Sequence, residues 1–200
     1  MGIFDKFKGN KEEQKEITLQ GIQSNSAKLD EASGYFLQCF GPIFTGTPEG
    51  HIVTDIAGAS AIAGLMVLRS TGTDLSKREP GNVILGEEIN QKQEPVLRYI
   101  AAIGHNMGVD PNADSNKEAI DENKPLFDTV ELTQKLEESF YEACEKSDIQ
   151  KLYYPIVAAL TAMKLVGAGK DMGLLDPSIG KSIAMFYIVA GSKTVPHHNL

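Results

Sequence analysis

Twelve residues, DPNADSNKEAID at 110 to 121, place oxygen-bearing side chains at alternate positions: Asp110, Asn112, Asp114, Asn116 and Glu118, closed by Asp121. Calcium needs six or more oxygen ligands, and such alternation can turn them toward one centre. Three residues work against a tight site. Ser115 stands where the loop needs a turn glycine, Lys117 occupies the central apolar position, and Asp121 replaces a longer carboxylate. Calcium is therefore the one cofactor that the sequence suggests, and an acidic solvated linker is the competing reading. A second polar set is His51, Asp55 and His105. His51 and Asp55 lie one helical turn apart, and an acid/base or metal site would follow if His105 met them in space.

The twelve-residue stretch partially resembles EF-hand and other Asp-x-Asn-x-Asp loops, and the resemblance extends no further along the chain. Two other patterns fail on closer reading. GASAI at 58 to 62 has Ile62 where a nucleophile elbow needs glycine, and no strand precedes it. Gly180-Lys181-Ser182 reproduces the end of a phosphate loop, but Gly173 lies too far upstream and Pro177 interrupts the span. No motif establishes catalysis.

The elements that would position these residues are helical. SAKLDEASGYFLQCFGPIF repeats apolar residues at three-and-four spacing and should end near Gly41 and Pro42. A helix over about 49–71 should end at Gly72, and another should run to Gly104, kinked or restarted at Pro95. After the connection come VELTQKLEESFYEACEKS, IQKLYYPIVAALTAMKLVGAG and DPSIGKSIAMFYIVAG, the last capped by Asp176 with Pro177 at its first position. Only NVIL at 82–85 reads as extended. The expected fold class is all-α, a compact bundle of about six main helices.

Its organisation is expected as a flexible leader, 1–25, a single helical domain, 26–192, and a tail, 193–200. Within the domain, IAGLMVLRSTG at 62–72 can be laid on VAALTAMKLVG at 157–167, with Arg69 on Lys164. An aromatic pair precedes a cysteine in each half, Tyr35-Phe36 before Cys39 and Phe140-Tyr141 before Cys144. The order suggests two related three-helix halves, 26–104 and 128–192, joined by an acidic linker, 105–127.

Residues 56–68 carry no charge between Asp55 and Arg69, a run about 20 Å long as a helix against about 30 Å of bilayer hydrocarbon. A buried helix of a water-soluble protein is expected, with no transmembrane span. Ala57, Ser60, Ala61 and Gly64 form a ridge of small side chains on it, suited to close approach by a neighbouring half, a second subunit or a flat ligand.

A net charge of -8 and a pI near 5.0 argue against a nucleic-acid partner, since no basic stripe offsets the repulsion. Two cysteines far apart make no disulfide framework and fit a reducing compartment. MGIFDKFKGNKEEQKE shows no export signal, so a cytoplasmic location is expected, although Ile3, Phe4 and Phe7 offer a weak peripheral membrane contact. The leading expectation is an acidic helical interaction or regulatory protein that binds a protein partner or forms a homo-oligomer, with no demonstrable catalytic motif. The alternatives are a calcium-binding protein using 110–121 and a small-molecule binder or enzyme with a pocket between the halves.

Overall fold

The computed structural model describes residues 16–44, 51–109 and 117–197, the side chains of 117–119 apart. Among them the chain is all-α: α1 (Leu19–Ser24), α2 (Ser26–Leu37), α3 (Phe40–Ile43), α4 (Ile52–Ser70), α5 (Glu87–Asn106), α6 (Lys117–Glu122), α7 (Thr129–Lys146), α8 (Tyr154–Asp171) and α9 (Pro177–Lys193). The longer ones, α2, α4, α5, α7, α8 and α9, are the six main helices of a compact bundle. Extended pairing among the described residues is confined to an antiparallel bridge between Val83 and Thr194.

α4 is the centre. Every residue from 52 to 68 except Asp55 is buried, because α5, α7, α8 and α9 all pack against it. A helix enclosed in this way is apolar around its whole circumference, which is what the sequence supplies. It is longer than its uncharged run: nineteen residues give about 28 Å. By length and composition α4 and the stretch Lys151–Asp171 could each cross a membrane, yet their most apolar stretches are 89% and 72% buried within the bundle. Surrounding helices, not insufficient length, account for their apolar surfaces in this fold. Gly72, with φ +66, ends α4 in the left-handed turn that glycine adopts without strain.

Local chemistry sets the other boundaries. The first expected helix breaks after Leu37 and resumes as α3 through Gly41 and Pro42. Pro42 has no N–H for the carbonyl of Gln38 four residues earlier, which weakens the helix at the break. α5 does continue through Pro95, whose lost bond falls opposite the exposed Gln91. Asp128 and Glu131 form a reciprocal capping box on α7. Asp176 caps α9 by accepting from Ser178 N–H at 2.7 Å, with Pro177 following as expected. Within the expected leader, residues 19–24 form α1, capped by Thr18.

The packing is reciprocal across the middle of the sequence. α2 packs on α8, α7 packs on α4, and α2 and α7 meet each other. Phe36 and Phe140, from the two aromatic-before-cysteine segments, make an edge-to-face contact with ring centroids 5.0 Å apart. Arg69 on α4 pairs with Glu137 on α7, and Lys164 on α8 pairs with Asp30 on α2. The two cations laid on each other by the sequence thus reach the first long helix of the opposite half.

Beyond the C-terminal end of α4, residues 81–84 and 193–195 form a short ribbon: Ile84 N–H donates to Lys193 O at 2.7 Å and Val195 N–H to Asn82 O at 2.9 Å. Its inner side is sealed by a small cluster of Leu68, Ile84, Ile89 and Val195.

Candidate functional site

The polar set at the start of α4 is built by the helix end itself. His51 is the N-cap residue, and its Nδ1 lies 2.6 Å from Thr54 Oγ1. Thr54 Oγ1 also accepts from Leu126 N–H at 3.0 Å. The trio therefore fastens the connection before α7 to the central helix. Asp55, in the first turn of α4, is partly buried, and burial pushes its carboxyl up to about 6. His105 is exposed in the last turn of α5, where a cation suits the helix dipole. None of these three residues lines the cleft described below.

Asp110, Asn112, Asp114 and Asn116 lie outside the described residues. Glu118 belongs to the six-residue α6, and Asp121 in the same helix is exposed. Among the described residues no three His, Cys, Asp or Glu side chains gather in a group that could hold a metal.

The small-residue ridge is consumed by the fold. Ala57, Ser60, Ala61 and Gly64 are buried, and Ser60 Oγ donates to Ile56 O at 2.7 Å. A methyl added at Gly64 would collide with Ile188 O and approach Ser192 N at 2.5 Å; one added at Gly191 would collide with Ala61 O. α4 and α9 therefore touch backbone to backbone. Gln93 Nε2, donating to Ser192 Oγ at 2.8 Å, adds α5 to the same junction.

A cleft of about 240 Å³ opens between α2–α3 and α7. Tyr35, Gln38, Cys39, Ser139, Glu142 and Lys146 bring polar atoms to it, with Pro42 and Ile43 in its apolar wall. Lys146 Nζ sits 6.0 Å from the centre of the Tyr35 ring. The volume is below the roughly 300–1,000 Å³ of ordinary ligand pockets. Burial raises the Cys39 thiol, and Lys146 opposes that rise. Cys144, fully buried, is pushed up to about 12 by burial. Both thiols stay protonated at neutral pH, which makes them poor nucleophiles.

Sequence reasoning did not find the buried charge. Glu137 has only 5% of its side chain exposed and lies 2.5 Å from Arg69 Nη2. Burial pushes Tyr141, its hydrogen-bonding neighbour, up to about 12, while Arg69 acts in the opposite direction. The available signal was position: Glu137 flanks the Leu132, Leu136 and Phe140 stripe that faces the core. Every buried side-chain polar atom among the described residues has a hydrogen-bond partner, so this interior leaves no orphan aimed at a ligand. No protein-family model, curated protein or solved structure matches the chain.

Proposed function

We propose that the chain is a cytoplasmic helical interaction protein that self-associates. The observation supporting it is the set of large apolar side chains left outside a core whose polar groups are already satisfied. Val83 is 67% exposed, Leu85 81% and Phe186 49%. Phe186 lies on α9, which carries no charge between Lys181 and Lys193 although Met185, Val189 and Ala190 also reach the surface. Exposed apolar side chains gain free energy when a partner covers them. The net charge of -8 favours a protein partner over a nucleic acid.

Sedimentation velocity of the full chain, from micromolar to hundreds of micromolar, tests this. A mass that rises reversibly with concentration supports self-association. A strictly monomeric mass throughout the range removes it.

A further inference from the structure

We propose that residues 82–85 form an open strand edge whose occupant is the same edge of a second copy, an inference resting on the self-association reading above. The ribbon supplies the geometry. Asn82 C=O accepts from Val195 N–H and Ile84 N–H donates to Lys193 O, while Asn82 N–H turns back to Glu79 O, so the intervening Val83, paired with Thr194 without exchanging bonds, turns its N–H and C=O the other way. Neither Val83 nor Leu85 makes a backbone hydrogen bond among the described residues. Their side chains stand on the face away from the core, while Ile84 between them is sealed beneath. The edge therefore combines free backbone groups with exposed apolar side chains, the two components of strand addition.

Self-complementarity selects a second copy. Antiparallel pairing about Ile84 sets Val83 opposite the partner's Leu85, and Leu85 opposite the partner's Val83. That register uses the N–H and C=O of both residues in each copy and brings two valines and two leucines together on one face. It also carries the Lys77-Arg78-Glu79 end of one segment, with one net positive charge, toward the Glu87-Glu88 end of the other, a weak charge match. Growth stops at two copies because the second strand of each ribbon runs through the buried Val195 into Pro196, which has no N–H. So small a contact implies a reversible dimer, with a dissociation constant on the order of 10 µM.

The test compares the full chain with the double variant Val83→Lys, Leu85→Lys in sedimentation, and follows amide exchange at 83 and 85 in the unaltered dimer. In the variant both outward-facing cross-strand pairs become lysine against lysine, on side chains that are mostly exposed in the single chain. It should melt at the unaltered temperature and dimerise at least about 100-fold more weakly. Amides 83 and 85 should become protected in the unaltered chain as concentration rises. Undiminished dimerisation of the folded variant, or free exchange at both amides in the dimer, overturns the edge while self-association stands. An unaltered chain that never dimerises overturns both.

Discussion

Gly64→Ala should destabilise this protein although alanine is the better helix former. In an exposed helix interior the change gains about 1 kcal/mol. Here the added methyl meets backbone, the Ile188 carbonyl oxygen, Ser192 N at 2.5 Å and Gly191 C at 2.9 Å, and none of these can rotate aside. Relief requires α4 and α9 to separate, and a gap of about 0.5–1 Å forfeits a quarter to a half of each dispersion contact along the junction. Overpacking costs about 1–3 kcal/mol, and the rigid obstacle places this site at or above the upper end. Subtracting the helix gain leaves a net loss of about 2 kcal/mol, or about 4–8 °C in Tm for a chain of this size. Gly34→Ala is the internal control. Gly34 is also inside a helix, but a methyl there meets nothing within 4 Å. It should therefore raise Tm by about 2–4 °C. Thermal melts by circular dichroism give both Tm shifts, and urea titration with an unchanged slope gives the free-energy changes. Equal and favourable effects of the two substitutions would refute the backbone contact between α4 and α9.

Two further substitutions address the polar groups. Because burial holds the Asp55 carboxyl up at about 6 against about 3.9 unfolded, the folded chain keeps its proton over that interval. This contribution to stability is fully present below about pH 4 and is lost as pH rises through about 6. Partial exposure screens the penalty at pH 7 to about 1–2 kcal/mol, and Asp55→Asn forgoes a favourable dipole contact of about 0.3–1 kcal/mol. The variant should be about 1 kcal/mol more stable at pH 7 and lose the slope between pH 4 and 6; an unchanged slope would count against the assignment. Arg69→Met strands the Glu137 carboxylate, and breaking a buried pair costs about 3–5 kcal/mol. Arg69 is 40% exposed, so water reduces the expected loss to about 2 kcal/mol. Adding Glu137→Leu should restore most of it, and a single-variant loss below about 0.5 kcal/mol would mark an ordinary surface pair.

The helices were legible because their signals are local. Asp176 and Pro177 sit at a helix start, Gly72 sits past a helix end, and the apolar stripe of α7 needs only three-and-four spacing. The partners of each surface were less legible. Small residues at 57, 60, 61 and 64 state that a backbone comes close, but α9, more than a hundred positions later, supplies it. Glu137 reads as the wet margin of an amphipathic helix until Arg69 arrives from α4.

NVIL shows the same limit most sharply. A strand of consecutive apolar residues belongs where both of its faces are covered, whereas one wet face calls for alternation. Within one chain the segment has a single cover, the cluster beneath Ile84, and Val83 and Leu85 face water. The side-chain pattern therefore demands one more surface than the monomer provides. The free N–H and C=O of Val83 place that demand at the edge as well as on the face, so a partner supplying only a greasy patch would leave half of it unmet. An antiparallel copy meets both parts with the same residues, which makes protection of the Val83 amide the observation separating strand pairing from nonspecific hydrophobic contact.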